Sequence, residues 1–369
     1  MKKIKQIEPY FDSSELHSVN KTLKSTFITE GKKTELFENI IKKKINSKYV
    51  VSINNWTLGL YCCARVLNLK KDDEIIVPNL TFVSCVTSML MANLKVKLCE
   101  IKPENYSLDL THAKKLISKK TKAIMIVHLF GECSNITEIM NFAKKNNLMV
   151  IEDAAQSFCG KYKNKYLGTF GDVGGFSFYG NKTITTGEGG LATCSNIKYY
   201  KKFKMLKNYG RLEKGIYKHE TIGYNFKFND VAATIGIAQL AKLKMILKKK
   251  KFIDNFYRKN LINLKQIKFS KKNKNADPIY WFTAIQVKNK YALKKFLDTK
   301  NIETRDFFYP MHLQKCFKKD KNVIKKDSNF KISINLYKNG ICLPSSVNLK
   351  KKQLVYIIDQ IKNFYESRN

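Results

Sequence analysis

Across the first two-thirds of the chain, short apolar runs alternate with segments whose apolar residues recur at helical spacing. Residues 49–53, 74–77, 95–99, 123–127 and 149–151 read as strands. Residues 57–67, 81–93, 109–117 and 135–146, lying between them, suit helices. Strand–helix alternation with near-continuous apolar strands predicts an α/β fold whose central sheet is mostly parallel and covered on both faces. In such a sheet ligands collect beyond the carboxyl ends of the strands. Residues 168–190 break the rhythm with glycines and small residues, a composition that brings backbone close to something. One long helix is expected from 230 to about 250. Beyond it, 281–285 reads as a strand and 290–300 and 350–365 as helices. The pattern divides the chain into a large domain, 1–249, and a smaller C-terminal α/β domain, 250–369.

Two segments carry candidate chemistry. The run Ile151-Glu152-Asp153-Ala154-Ala155-Gln156 ends an apolar strand with a carboxylate at its carboxyl edge. Asp153 there can face a ligand. A pyridoxal ring needs such a carboxylate, because pairing with the ring nitrogen keeps it protonated and able to draw electrons. Asp before Ala-Ala-Gln also suits a helix N-cap. Residues alone leave both possibilities open.

The second segment is Ser177-Phe178-Tyr179-Gly180-Asn181-Lys182-Thr183-Ile184-Thr185-Thr186-Gly187-Glu188-Gly189-Gly190. Lysine is abundant in this chain, so Lys182 stands out only through its setting. Apolar and aromatic residues precede it; small hydroxyl and glycine residues follow. That setting can desolvate the ammonium and free the amine for imine formation. Ser177 could donate a hydroxyl to a phosphate. The bland alternative is a glycine-rich surface hairpin with an exposed lysine. A nucleotide P-loop is disfavoured, since it needs Gly-Lys-Ser/Thr without a gap and Asn181 intervenes.

Bulk properties narrow the class. The 369 residues can bury a large core and a second one, and the 44% hydrophobic fraction argues against disorder. No apolar signal segment follows the start, and no run reaches the roughly 18 apolar residues of a membrane span. A cytoplasmic protein with no membrane partner is expected. Nine scattered cysteines without a Cys-x-x-Cys pair suit reduced core thiols rather than disulfides or a metal site. The formal net charge of +39 raises nucleic-acid binding. The lysines are spread over the whole chain, however, and no aromatic-basic RNA motif or helix-turn-helix signature accompanies them. Solvated surface lysines are the simpler account, and no nucleic-acid partner is expected; such a surface still favours a phosphorylated substrate.

Together the two segments resemble the DegT/DnrJ/EryC1/StrS family of sugar aminotransferases over nearly the whole chain. Residues 77–82, 127–131, 171–178 and 222–226 match as well. The resemblance implies the type I fold of aminotransferases that use pyridoxal 5′-phosphate, with the following roles. Lys182 is the Schiff-base lysine and later shuttles the proton. Asp153 pairs with the ring nitrogen and Gln156 reaches the ring hydroxyl. Phe82 stacks on one ring face, with Ala155 beneath the other. Thr57 and Ser177 hold the phosphate. Asn225 reaches the phosphate held by a neighbouring subunit, so the active unit is a homodimer. His128, Tyr179, Arg305 and His312 line the substrate pocket.

The resemblance further implies glutamate as amino donor. The run 180–190 and residues 303–312 look closest to members acting on GDP-linked keto sugars. Relatives with histidine in place of the lysine are dehydratases; this chain keeps Lys182. It departs from the family at Asn55-Trp56-Thr57, where members usually read Asn-Gly-Thr, and at Lys227, where many have arginine. Trp56 is therefore expected at the cofactor phosphate, taking volume from the pocket. That expectation keeps open an aminotransferase for a smaller phosphorylated ketone; from a different class, a non-catalytic, regulatory cofactor-binding protein is the other alternative.

Overall fold

The computed structural model describes residues 2–212, 215–326 and 329–367. Two helices, α1 (Ser13–Lys24) and α2 (Lys32–Lys44), precede the first strand. Then come β1 (Tyr49–Ile53), α3 (Trp56–Val66), β2 (Glu74–Pro78), α4 (Ser84–Met91), β3 (Lys95–Cys99), α5 (Leu110–Leu116), β4 (Thr121–Val127), α6 (Ile136–Lys145) and β5 (Met149–Asp153). Strands β6 (Val173–Ser177) and β7 (Gly190–Cys194) and helix α7 (Ile197–Lys207) complete this part. The large sheet runs β1-β7-β6-β5-β4-β2-β3, with the short strand Val323–Ile324 at its far edge. Strands β6, β5, β4, β2 and β3 pair in parallel, whereas β7 is antiparallel to both neighbours.

The strands look almost uninterruptedly apolar because both faces are covered. Along β4, Ala123, Met125 and Val127 enter one core, while Ile124 and Ile126 enter the opposite one. Along β2, Ile75 and Val77 face the first core and Ile76 the second. Alternation between two apolar environments leaves no polar face to mark the period.

The expected long helix is two helices, α8 (Asp230–Ala241) and α9 (Leu243–Leu261), broken at Lys242. Helix α9 runs through the expected division at 249/250 and enters a second core with Ile253, Tyr257 and Leu261. That core lies against an antiparallel sheet of β8 (Ile267–Phe269), β9 (Thr283–Val287), β10 (Arg305–Asp306) and β11 (Gly340–Leu343), in the order β8-β9-β11-β10. Helices α10 (Lys290–Thr299), α11 (Lys331–Asn339) and α12 (Lys351–Glu366) belong to the same half of the chain. Strand β9 starts two residues later than expected, so Trp281 lies before it rather than in it. Two segments cross the expected division. Ile4 bridges Ile302 and joins the second core, and Val323–Ile324 extends the large sheet.

All nine cysteines are free and all but Cys316 are buried. Among the described residues no helix is long and apolar enough to cross a membrane.

The two sheets meet where residues 279–281 pass Gly131. The Trp281 N–H donates to the Phe130 carbonyl at 2.8 Å. Gly131 has φ +91°, and a Cβ there would lie 2.3 Å from the Ile279 oxygen and 2.7 Å from the Trp281 nitrogen. Both the backbone conformation and the close approach exclude a side chain. Gly131→Ala is expected to cost about 2–3 kcal/mol in a denaturant unfolding titration, as left-handed strain and a backbone clash coincide.

Candidate active site

Strands β5 and β6 end side by side, and the site is built at their carboxyl ends. Asp153 is the last residue of β5 and is buried. No helix follows it. Its Oδ1 accepts the Ala155 N–H at 3.0 Å, closing a turn on its own backbone. The same oxygen accepts the Trp56 indole N–H at 2.9 Å, and Oδ2 lies 3.1 Å from Cys85 Sγ. Burial and the neighbouring Asp153 carboxylate push the Cys85 thiol well up, so it stays a donor.

Lys182 stands on a closed loop that leaves β6 and returns to β7. The Phe178 N–H donates to Gly189 O, the Thr186 N–H to Phe178 O, and the Lys182 N–H to Tyr179 O, each at 2.9 Å. The loop is therefore not a loose surface hairpin. The Lys182 ammonium nitrogen sits 3.7 Å from the centroid of the Trp281 ring, and the Trp281 indole N–H donates to Asn181 O at 2.7 Å. Burial pushes the Lys182 amine down to about 7; the Asp153 charge pulls it up, and Arg305 pushes it down again. Amine and carboxylate thus sense each other across the strand ends, and the amine is a usable nucleophile near neutrality.

The remaining predicted residues fall into three groups. At the start of α3 the Asn55 side chain caps Leu58 N, while the Trp56 and Thr57 amides have no partner within the helix. Thr57 is exposed. A Cβ on Gly190 would lie 2.7 Å from Trp56 N, so this cradle exists only because residue 190 is glycine. Ser177, at the end of β6, accepts the Tyr179 N–H on Oγ at 3.3 Å. Gln156 Oε1 accepts the Phe130 N–H at 2.6 Å, which leaves its amide group as a donor. Ala155 is half-buried beside Asp153, and Phe82 is exposed with its edge on Phe308.

Tyr179 and Arg305 are exposed, with the Arg305 guanidinium over Phe282 and close enough to act on Lys182. His312 is held at the end of β2: its N–H and Nδ1 both lie 3.0 Å from Asn79 Oδ1, and its ring stacks on Phe330. Asn225 is exposed and lies away from these contacts, bridging Asn208. A cleft of about 540 Å³ beside the loop is lined by Thr29, Asn54, Thr186, Glu188, Lys227 and Asn229.

Two expectations are corrected. His128 lines no pocket; it is fully buried, with Nε2 2.9 Å from Glu152 Oε1 and Nδ1 accepting the Ser134 N–H. The bulk of Trp56 is not spent on the pocket either. Its indole is buried in the core between Gly59 and Gly175, where added Cβ atoms would each lie 2.3 Å from ring carbons. Cys85 and Trp281 were missed altogether. Neither has a local signature, since each matters only through what the fold sets beside it.

The donor set fits pyridoxal phosphate. An anion cradle at a helix start, a half-buried amine with lowered affinity for protons, and a buried carboxylate are the three anchors its phosphate, carbonyl and ring nitrogen require. Fold and site together define a pyridoxal-phosphate-dependent transaminase. The profile of the DegT/DnrJ/EryC1/StrS aminotransferase family matches residues 9–362. The chain belongs to that family. It is 34% identical to GDP-perosamine synthase of Escherichia coli O157:H7, over 100% of both chains, and 32% identical to that of Vibrio cholerae, over 97% and 98%. In structure it is similar to Helicobacter pylori PseC, an aminotransferase of pseudoaminic acid biosynthesis, with TM-score 0.93 at 23% identity over 99% and 100% of the chains. The pyridoxal-phosphate form of the putative sugar aminotransferase Spr1654 from Streptococcus pneumoniae gives 0.93 at 23% identity over 99% of each.

Two outcomes follow from this geometry. Capture of pyridoxal phosphate by the apoprotein, followed by stopped-flow absorbance, should accelerate about tenfold per pH unit below 7 and level off above it, because only the neutral Lys182 amine attacks. Glu152 accepts the Gly168, Phe170 and Gly171 N–H groups besides His128. Burial pushes its carboxyl up, yet the His128 contact and the backbone donors outweigh this and hold it below the usual range. Its stabilising contribution is therefore present above the unfolded value and lost as pH falls through the native one. His128→Phe should lower unfolding stability by about 3 kcal/mol, measured by urea titration at pH 7, because it strips a partner from a buried carboxylate.

Proposed function

We propose that the protein transfers the amino group of glutamate to the keto group of a nucleotide-linked deoxy sugar, with GDP-4-keto-6-deoxymannose the first candidate. The reaction class rests on one observation: an amine lowered to about 7 opposite a buried strand-end carboxylate. The acceptor class rests on the full-length relatives named GDP-perosamine synthase. Bound pyridoxal phosphate supplies the electron sink for the carbanion. The protein supplies the rest. Asp153 keeps the ring nitrogen protonated. Gln156 donates to the ring hydroxyl. Phe82 and Ala155 bound the two ring faces. Ser177, Thr57 and the first amides of α3 hold the phosphate. Lys182 would anchor the cofactor through its amine, and that amine would then be the group that takes up and returns the proton. Arg305, exposed and within electrostatic reach of Lys182, would pair with the donor carboxylate, and Tyr179 and His312 would border the acceptor.

A smaller phosphorylated ketone depended on Trp56 filling the pocket, and that support is gone. We take the active unit to be a cytoplasmic homodimer. The segment around Asn225 exposes Tyr209, Leu212, Ile216, Tyr217, Ile222 and Tyr224, an apolar face that a second copy would cover while Asn225 reached its phosphate. The cofactor-holding part would be residues 1–249 and the part that covers it 250–369, with α9, Ile4 and Val323–Ile324 crossing between them.

Glutamate together with GDP-linked, UDP-linked and small phosphorylated ketones, followed by mass spectrometry, tests the acceptor. Amination of a nucleotide-linked keto sugar is expected; amination of small phospho-ketones alone would sink the proposal. Lys182→Ala should reduce turnover by at least about a thousandfold, since it removes both the anchor and the proton carrier.

A further inference from the structure

The Trp56 side chain is buried at the edge of the site, and the chemistry above uses only its backbone amide. Its ring fills a slot open only because Gly59, on the same helix, and Gly175, in β6, lack side chains. An indole N–H in such a place needs an acceptor. Here the acceptor is Asp153 Oδ1, at 2.9 Å, shared with the Ala155 N–H at 3.0 Å. Among the described residues the other oxygen, Oδ2, hydrogen-bonds only to the Cys85 thiol at 3.1 Å, itself 3.0 Å from Thr81 Oγ1. A thiol is a weak donor, so Oδ2 keeps acceptor capacity. The carboxylate is thus divided: one oxygen is saturated by strong protein donors, and one is left for something else.

We propose that Trp56 is a positioning residue for the cofactor's ring nitrogen: its N–H locks the Asp153 carboxylate so that Oδ2 alone faces the pyridine. An aspartate side chain turns broadly about its last torsion. With only the Ala155 amide on Oδ1, the plane of the carboxylate could swing. The indole is fixed by two glycine contacts and removes that freedom before the ring arrives. This inference rests on the pairing of Asp153 with the ring nitrogen.

The test uses the apoprotein and two probes, pyridoxal 5′-phosphate and its 1-deaza analogue, in which carbon replaces the ring nitrogen. Dissociation constants are measured by calorimetric titration for the wild type and Trp56→Phe. Phenylalanine refills most of the slot without the N–H. The wild type should prefer pyridoxal phosphate. The variant should bind it about tenfold more weakly, the order of one hydrogen bond to a charged group, while its affinity for the deaza analogue stays unchanged. Equal weakening for both probes, or none for either, overturns the proposal by reducing Trp56 to core filling. A wild type that does not distinguish the probes overturns the Asp153 pairing itself, and the role of Trp56 with it; that failure shows before any variant is made. If circular dichroism finds Trp56→Phe unfolded, the comparison is read on Gly59→Ala, whose methyl would displace the indole without altering it.

Discussion

The arrangement depends on one opposition: a buried carboxylate and a desolvated amine presented from neighbouring strand ends. Parallel pairing of β5 and β6 sets Asp153 beside Gly175, two residues before the end of β6. The chain then needs only a short closed loop to bring Lys182 back over the same crevice. Had β6 run antiparallel to β5, the loop that follows it would leave from the other edge of the sheet. Topology therefore fixes the direction from which the amine arrives, and the strand ends fix where the carboxylate stands. The fold needs little further invention at this point, because the crevice is a property of any sheet wound this way.

The same opposition explains why the two charges do not simply neutralise each other. Asp153 already has strong donors on one oxygen, and Lys182 is surrounded by an aromatic ring and by the positive field of Arg305. Desolvation outweighs the attraction, and the amine is held near neutrality rather than at the usual lysine value. A direct salt bridge would have consumed both groups. Keeping them within electrostatic reach but separately satisfied leaves each free for a ligand lying between them.

Much of this was legible in the chain. Most of the first five sheet strands could be placed because they are apolar on both faces, β3 with Lys95 and Lys97 being the exception, while Asp153 was singled out by its place at a strand end and Lys182 by the apolar and glycine-rich residues around it. The N-terminal helices α1 and α2 went unread, since their few apolar positions are outnumbered by lysines and acids. The break at Lys242 was hidden because no glycine or proline marks it between Ala241 and Leu243. His128 illustrates a different limit. A histidine after a strand looks like a pocket residue until its partner Glu152 is seen to turn away from the crevice, toward the Gly168–Gly171 backbone. Trp56 is the sharpest case. Bulk where relatives have glycine predicts obstruction, but the direction of a side chain depends on which neighbours yield, and Gly59 and Gly175 yield on the core side.

Trp281 shows how the second half of the chain enters the site. Its backbone N–H is held by Phe130 O and its carbonyl accepts from the buried Lys250 amine, which also donates to Ser345 O. Its indole N–H holds Asn181 O, and its ring lies against the Lys182 amine. One residue is therefore tied to the large sheet, to helix α9 and to the loop that carries the lysine. Nearby, Arg258 on α9 pairs with Asp254 and reaches Glu132, just beyond Gly131. Because Trp281 is part of what excludes water from Lys182, the lowered amine is a property of both halves held together rather than of the 177–190 segment alone. Separating the halves, by removing either the Gly131 crossing or the α9 contacts, would return solvent to the amine and raise its affinity for protons even if every residue of the loop stayed in place.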